Sequence, residues 1–326
     1  MSPKWLLGVL LLAGLAGSGC QSGPRKASGG FTVEEKDGRI RIEHAGQLVS
    51  EYHFRDVSRP FLYPILGPDD VHLTRRWPQE EFPGEEKDHP HHHALWWAHG
   101  EANGQDFWSE SAKAGKTVHQ YFTRRSGGRE AVVAARNRWV AKSGEVVAED
   151  ERKMTFHAPG KDLRVLDFEI TVFAGEKGLE LGDTKEGTMA IRVAESMRLV
   201  KPDKSRGAGR ILNSAGDADG ATWGKRAAWC DYVGPVGDGT YGVAMFDHPS
   251  NLRFPTWWHV RDYGLFAANH FGLHDFEKKP VGAGNHHLAP GATVTFRYRF
   301  VLHRGPLEPA RLNALHEAYS QGKLLP

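Results

Sequence analysis

A repeated alternation of polar and apolar side chains constrains the fold of this chain more than any other feature. Residues 163–173 alternate between a mostly apolar set and a mixed set, and residues 39–43 show the same period of two. This period is typical of β-strands that bury one face. Residues 131–140 and 146–156 flank the turn-forming segment 142–145 and predict a hairpin.

Glycines and prolines separate several further predicted strands, at residues 47–54, 188–193, 242–246, 257–260 and 293–302. Helices do not alternate with these strands, which argues against a parallel α/β fold. One helix is predicted at residues 308–320, from the helical spacing of Leu312, Leu315, Ala318 and Tyr319. We therefore expect residues 31–326 to form one all-β domain, with a short C-terminal helix outside the sheets.

The N-terminal segment predicts export. Lys4 precedes an apolar run at residues 5–16, and small residues follow directly before Cys20. This is the layout of a signal peptide, and the run is shorter than the roughly 20 residues of a spanning helix. The end of the segment resembles a bacterial lipoprotein signal, in which the cysteine is acylated.

We therefore expect residues 1–20 to be a lipoprotein-type signal peptide and residues 21–30 a flexible tether, since they lack apolar residues that could pack. The mature protein would be membrane-anchored through a lipid on Cys20, in the periplasm or at the cell surface. Ordinary secretion is the alternative. The 42 Lys and Arg residues nearly balance the 40 Asp and Glu residues, so we expect no nucleic-acid partner.

Residues 88–100 contain five of the eighteen histidines, together with Trp96 and Trp97. If this segment is a strand, alternate residues share a face. His91, His93 and Trp97 would then lie on one side, and His92 and Trp96 on the other.

Three interpretations of this segment stay open. His91 and His93 could ligate a divalent metal such as zinc, copper or iron. Alternatively, indole rings could cover the apolar face of a sugar, while imidazoles and carboxylates bind its hydroxyls and transfer protons. The third interpretation is a structural histidine cluster.

Polar residues elsewhere supply further candidates. Lys185 and Glu186 lie just before the predicted strand at 188–193, and Asp231 and Asp247 each stand beside aromatic residues. A second concentration of aromatic and polar side chains contains His259, Asn269 and His270.

Several motifs resemble the bacterial PmoA-like family, which is labelled "methane oxygenase". They are Asp88-His89-Pro90-His91-His92, Leu95-Trp96, Ala98-His99-Gly100, Asn103-Gly104, Asp106-Phe107-Trp108, Lys185-Glu186-Gly187, Arg192-Val193 and residues 246–251. Membrane methane oxygenases depend on subunits with spanning helices, and the mature chain shows no long apolar segment. We therefore do not expect oxygenase activity from this resemblance.

A weaker resemblance is to galactose-mutarotase-like proteins. His99-Gly100 followed by Gly104, Asp106 and Trp108 is similar to their sugar-pocket motif, and residues 288–300 are similar to the entry into their last strand. The resemblance implies a β-supersandwich of two large antiparallel sheets, with the ligand on a concave face. Asn269-His270 and Lys185-Glu186 stand where mutarotases have their acid–base pair, so simple mutarotation is not expected.

Together these observations predict a secreted carbohydrate-active enzyme of the lyase, hydrolase or epimerase type, which acts on a glycoside or sugar through histidine and carboxylate acid–base chemistry in a concave pocket. The expected catalytic residues are His92, His99, Glu186 and Asp231. The expected substrate-binding residues are His89, His91, Trp97, Asn103, Asp106, Lys185, Arg192, Asp247, His259, Asn269 and His270. Two alternatives are a non-catalytic carbohydrate-binding lipoprotein and a metal-dependent oxidase or oxygenase with His91 and His93 as ligands.

Overall fold

The computed structural model describes residues 1–3 and 29–325. Most of the predicted signal peptide and tether, residues 4–28, therefore lies outside the described residues. Within the described part of the chain, no helix has both the length and the apolar character that a bilayer span requires.

Strands account for most of the ordered elements. The first nine are β1 (Phe31–Lys36), β2 (Arg39–His44), β3 (Gln47–His53), β4 (Phe61–Leu62), β5 (Leu95–His99), β6 (Lys116–Ser126), β7 (Ala131–Val140), β8 (Val146–Phe156) and β9 (Leu163–Ala174). The next nine are β10 (Leu179–Leu181), β11 (Gly187–Arg192), β12 (Arg210–Asn213), β13 (Trp229–Val236), β14 (Gly239–Asp247), β15 (Trp257–Val260), β16 (Leu265–Asn269), β17 (His286–Leu288) and β18 (Thr293–Arg304). The two α-helices are α1 (Leu273–Glu277) and α2 (Pro309–Ser320).

The strands form two eight-stranded sheets and one small sheet. The first sheet has the order β1-β2-β3-β4-β5-β11-β16-β15, and the second has the order β12-β13-β14-β18-β9-β8-β7-β6. The third sheet pairs β10 with β17. Neighbouring strands in the first sheet run antiparallel, as in the pairings of β5 and β16 with β11. The predicted all-β class with two large antiparallel sheets is confirmed, and so is the predicted hairpin of β7 and β8.

The main core lies between the two large sheets. Trp97 of β5 is fully buried and packs against Trp139 of β7, with ring centroids 5.3 Å apart. A second apolar cluster lies under α2, where Leu312 and Leu315 pack with Trp229 and neighbouring residues of the second sheet. The predicted C-terminal helix is therefore confirmed, on the outside of that sheet.

The histidine-rich segment differs from its prediction because the strand starts later. β5 begins only at Leu95, and the preceding residues form a turn in which the His92 N–H donates to the His89 carbonyl at 2.9 Å. Pro90 lacks a backbone donor, and His89 has a φ of 43°, so neither fits a regular strand. The expected common face of His91, His93 and Trp97 is therefore wrong.

Replacing Trp97 by alanine is expected to lower the free energy of unfolding by about 3–5 kcal/mol, because it leaves a cavity between the sheets. Urea denaturation measures this change. Val118→Ala is the control, since Val118 is 40% exposed and its truncation should cost no more than about 0.5 kcal/mol. Equal effects of the two substitutions would contradict the core position of Trp97.

Candidate functional site

The outer face of the first sheet carries the candidate site. Trp96 pairs in register with Ala190 across β5 and β11, and Ala267 on β16 pairs with both Ala190 and His259. Directly paired residues project from the same face of a sheet, and Trp96 faces away from Trp97 because successive side chains alternate. Two alanines thus lie between a tryptophan and a histidine, on the face opposite the main core.

The turn before β5 folds over this face. The His92 ring stacks on Trp96, with centroids 5.5 Å apart, and the Trp108 indole lies 5.4 Å from Trp96. His89 stacks on His92 at 4.6 Å and on Tyr263 at 5.2 Å. The aromatic stack therefore begins in the buried sheet and ends at the surface, where His89 is exposed.

Charged side chains hold the turn in place. The Asp88 carboxylate accepts hydrogen bonds from Arg75 and from Arg192, whose Nη2 lies 3.0 Å from Oδ1. Both arginines are almost fully buried, so each needs a compensating charge. Partial burial raises the pKa of Asp88, but the hydrogen bond with His89 and the charges of Arg192 and Arg75 outweigh it and hold the pKa well below its ordinary value.

The Asp88 carboxylate also orients His89. The Nδ1 atom of His89 lies 2.7 Å from Oδ2 of Asp88. An ionised carboxylate only accepts hydrogen bonds, so Nδ1 carries a proton, and the neutral form of the ring has its lone pair on Nε2. Nε2 has no hydrogen-bond partner within residues 29–325, and the His89 side chain is 40% exposed. The imidazole is therefore arranged as a general base, with a positive φ of the kind that recurs at functional sites.

His92 has the other tautomer, with its proton on Nε2. Its Nδ1 lies 3.3 Å from Nη1 of Arg192, and a guanidinium can only donate. Nδ1 therefore accepts, and the proton of the neutral ring resides on Nε2. Burial, and then the charge of Arg192, lowers the pKa of His92 well below its usual value. His92 is thus a neutral hydrogen-bond donor.

His91 completes a group of three histidines. Its ring meets His92 edge-on, with centroids 4.5 Å apart, and it is half-buried. Burial, followed by the charge of Arg59, lowers the pKa of His91 to about 4. His91 is therefore neutral at ordinary pH and lies beside the general-base candidate.

His93 does not belong to this group. Its Nε2 lies 2.7 Å from Glu110 and its Nδ1 lies 2.5 Å from Gln79, while its ring stacks on Phe61 at 4.3 Å. With both ring nitrogens engaged, His93 has none free for an ion, so the expected pair of metal ligands with His91 does not fit. Nowhere in the described residues do three or more His, Cys, Asp or Glu side chains come together in a group that could hold a metal ion.

His259 and the Lys185–Glu186 pair lie farther across the same sheet. Nδ1 of His259 accepts a hydrogen bond from the Trp223 indole at 3.0 Å, which leaves the proton on Nε2. Burial, and then the charges of Arg261 and Lys185, lowers the pKa of His259 to about 3. Lys185 and Glu186 are both 39% exposed and lie 3.6 Å apart, just before β11.

Two predicted residues of β5 lie elsewhere. Trp97 is part of the core between the sheets, so it cannot cover a sugar, and Trp96 is the indole on the site face. His99 is fully buried at the far end of β5, where its Nε2 donates to the Gly182 carbonyl at 3.1 Å and its ring packs on Phe271. His99 is therefore not brought together with the three histidines.

Both predicted aspartates bond within the fold. Asp231 lies in the second sheet, where its Oδ1 is 2.9 Å from Nε2 of His303. Asp247 accepts from the Asn251 side chain at 2.7 Å and from the Thr256 N–H at 2.9 Å, and burial raises its pKa to about 7. Neither carboxylate contacts His89, His91 or His92.

The remaining predicted binding residues stabilise loops. Asn269 accepts two backbone N–H groups and donates to the Thr184 carbonyl, and His270 uses both ring nitrogens, on the Leu252 carbonyl and the Tyr298 hydroxyl. Asn103 accepts from the Glu180 N–H at 2.7 Å, and Asp106 accepts from the Trp108 N–H at 2.7 Å.

The structure thus brings together His89, His91, His92 and Arg192 from the predicted set. It adds Arg75, Asp88 and Tyr263, which sequence reasoning did not propose as site residues, and Trp223 beside His259 farther across the sheet. Asp88 stands next to His89 in the motif and could have been found there. Arg75 precedes Asp88 by 13 residues and Tyr263 lies far along the chain, and both stand in segments without a recognisable motif.

Replacing Asp88 by asparagine is expected to lower the free energy of unfolding at pH 7 by about 3 kcal/mol, because two buried guanidiniums lose their carboxylate. The pKa of Asp88 is lowered in the folded state, so its stabilisation is complete above the unfolded pKa of about 3.9 and is lost as the pH falls through the folded pKa. The difference between variant and wild type should therefore shrink below about pH 4. Urea denaturation across pH tests this, with the exposed Asp238→Asn as control, and a difference independent of pH would contradict it.

No curated protein sequence matches the chain. One structural match is a glycoside hydrolase family 97 enzyme from Pseudoalteromonas sp. strain K8 in complex with acarbose, at 10% identity and a TM-score of 0.33, covering 84% of this chain and 34% of that one. Another is a GalM/aldose epimerase homologue from C. elegans, at 8% identity and a TM-score of 0.32, covering 85% of this chain and 99% of that one.

A third match is a polysaccharide lyase, at 12% identity and a TM-score of 0.32, covering 86% of this chain and 33% of that one. The chain spans about a third of the length of the hydrolase and of the lyase. The resemblance to the PmoA-like family stays a prediction. A family model described as "Family of unknown function (DUF6807)" matches residues 39–317, and the chain therefore belongs to that family.

Proposed function

We propose that the protein is a carbohydrate-active enzyme in which His89, oriented by Asp88, acts as the general base. The observation that carries the proposal is the Asp88–His89 pair at the surface end of the aromatic stack. A carboxylate bound to Nδ1 fixes the tautomer and stabilises the imidazolium that forms when Nε2 takes a proton. The predicted catalytic role thus moves from His92 to its neighbour His89.

The surrounding charge favours a substrate that carries a carboxylate. Asp88 is shared by Arg75 and Arg192, so two buried positive charges face one negative charge. Arg261 adds a third guanidinium, 5.2 Å from the centre of the Tyr263 ring. A uronic acid residue of a polysaccharide would complement this excess.

The available carboxylates favour proton abstraction over hydrolysis. A glycosidase usually needs two carboxyl groups at a defined separation. Asp88 is committed to the arginines and to His89, while Asp231 and Asp247 are bonded elsewhere, which leaves Glu186 as the one predicted carboxylate at this face. A lyase or epimerase needs only a base near a carbon-bound proton and positive charge for the enolate.

The reaction then runs as follows. Nε2 of His89 removes the proton from the carbon next to the substrate carboxylate, and the C–H electron pair moves into that carboxylate as an enolate. In a lyase the pair then forms a C=C bond and expels the glycosidic oxygen, which takes the abstracted proton back from the His89 imidazolium. In an epimerase the carbon takes a proton from water on the opposite face, and the hydroxide that remains is neutralised by the proton that His89 releases. The Nε2–H groups of His92 and His259 are neutral donors for substrate oxygens.

His89→Gln is expected to reduce turnover of a uronate-containing polysaccharide roughly 10²- to 10⁴-fold, the contribution typical of a positioned base. The assay follows the ultraviolet absorbance of the unsaturated product, or sugar NMR for epimerisation. His287→Gln is the matched control, because His287 is an exposed histidine beside a carboxylate, 3.1 Å from Glu180.

Full activity of His89→Gln would contradict the assigned base. Reducing sugar released without an unsaturated product would indicate hydrolysis and contradict proton abstraction. Glycan binding without turnover of any glycan would indicate the non-catalytic carbohydrate-binding alternative.

We also propose that the protein is exported and lipid-anchored through Cys20. The support is the apolar run at residues 5–16 followed by small residues and Cys20. Cys20→Ser is expected to move the protein from the membrane fraction to the soluble exported fraction and to abolish incorporation of labelled fatty acid. A protein that stays membrane-bound and labelled after this substitution would contradict the anchor.

A further inference from the structure

The guanidinium of Arg261 has no acceptor in the part of the chain that the structure describes. It forms neither a hydrogen bond nor an ion pair with residues 29–325, although Arg261 is only partly exposed. Every other arginine that is buried or partly exposed there has a side-chain partner, as Arg59 has in the His91 carbonyl and Arg253 in the His270 carbonyl. A guanidinium carries five N–H donors and no acceptor. The donors of Arg261 are therefore available to a group from outside the fold.

A ligand can reach these donors from solvent. The unpaired polar atoms that the described fold seals from solvent include Nε of Arg59 but no nitrogen of Arg261. The two nearby carboxylates do not neutralise the guanidinium. Glu186 pairs with Lys185 instead, and Asp262, the next residue of the chain, forms no ion pair with Arg261.

The hairpin turn between β15 and β16 fixes the backbone of Arg261. The Arg261 N–H donates to the Leu265 carbonyl at 2.7 Å, and the Arg261 carbonyl accepts from the Gly264 N–H at 3.1 Å. Gly264 has a φ of 99°, which glycine adopts at little steric cost. The Tyr232 hydroxyl donates to the same carbonyl at 3.3 Å. A side chain that is held at its base loses less freedom when a ligand binds.

Tyr263, in the same turn, links Arg261 to the proposed base. The guanidinium carbon of Arg261 and the centre of the His89 ring each lie 5.2 Å from the centre of the Tyr263 ring. No more than about 10 Å therefore separates Arg261 from His89. A carboxylate bound at about 2.7–2.9 Å from the guanidinium nitrogens, with a base about 2.6–3.2 Å from the adjoining C–H group, fits within this span.

The other guanidiniums beside the base are already engaged. Arg192 bonds to His92 and to Asp88, and Arg75 bonds to Asp88 and to three backbone carbonyls. A substrate carboxylate could displace these contacts only by breaking the network that holds the turn. Arg261 needs no such exchange, so it is the cation best placed to receive the carboxylate.

We infer that Arg261 determines the specificity of the histidine site, with its guanidinium binding the substrate carboxylate while His89 removes the proton from the adjoining carbon. This inference rests on the proposed function and names the residue that selects an acidic sugar unit. A guanidinium fork matches the two oxygens of a carboxylate, whereas an ester carries no charge and cannot accept this fork in the same way. On an esterified polysaccharide, hydrolysis of the ester must therefore precede the action of this protein.

Binding of simple uronides tests Arg261 without requiring turnover. The probes are the methyl glycosides of glucuronic, galacturonic and mannuronic acid, together with their methyl esters, each titrated into the purified protein and followed by NMR. We expect at least one acid to bind about tenfold or more tightly than its ester, since a charge-assisted pair is lost in the ester. Arg261→Gln should abolish this preference, and Arg261→Lys should keep part of it, because the charge remains while the fork is lost.

Arg311→Gln is the matched control. Arg311 is exposed on α2, and its side chain also has no partner within residues 29–325. Neither guanidinium has a bond in the fold to lose, so both glutamine variants should unfold near the wild-type temperature, and Arg311→Gln should keep the preference for the acid. His89→Gln should keep it as well, because His89 acts on the proton and not on the carboxylate.

The outcomes separate this inference from the proposed base. No binding of any acid, or a preference for the acid that survives Arg261→Gln, would overturn the role of Arg261. A preference that Arg311→Gln also removes would overturn it too. Binding that depends on Arg261, without turnover of any uronate-containing polysaccharide, would contradict the His89 base and support Arg261 as the carboxylate-binding residue.

Discussion

The carboxylate of Asp88 is the interaction on which the candidate site depends. It joins three separate parts of the chain. Arg75 lies in a loop, Arg192 ends strand β11, and His89 lies in the turn before β5, called here the histidine turn. Arg75 also bonds the carbonyls of Glu86 and His89. Because two buried cations need this one anion, the turn has little freedom to take another conformation, and the order of the aromatic stack follows from it.

Many strands and the C-terminal helix could be predicted, because the pattern that specifies each of them lies within a short stretch of sequence. Alternation of side chains located β7, β8 and most of β9, and helical spacing located α2. The order of strands in the sheets could not be predicted in this way, since β5 pairs with β4 and β11, which lie far apart in sequence. Pairing of distant strands depends on contacts that no short window contains.

The candidate site was predicted in part for the same reason. The density of histidines pointed to residues 88–100, of which only His89, His91 and His92 lie together, because the phase of the side chains depended on where β5 begins. Pro90 and the left-handed backbone of His89 delay the strand, so Trp96 rather than Trp97 reaches the outer face. Asp231, Asp247 and His270 had suitable chemistry, yet buried partners within the fold engage each of them.

The two adjacent tryptophans of β5 limit which mutations the segment before this strand can accept. Trp97 fills the space between the sheets and Trp96 supports the histidine turn, so the two neighbours serve opposite faces. Inserting or deleting one residue between Asp88 and Leu95 would either shift β5 by one position, which exchanges the two faces, or break the ion pairs that anchor the turn. Substitutions in this segment alter single contacts, whereas a change of length disrupts core and site together. This stretch should therefore tolerate exchange of residues far better than a change in their number.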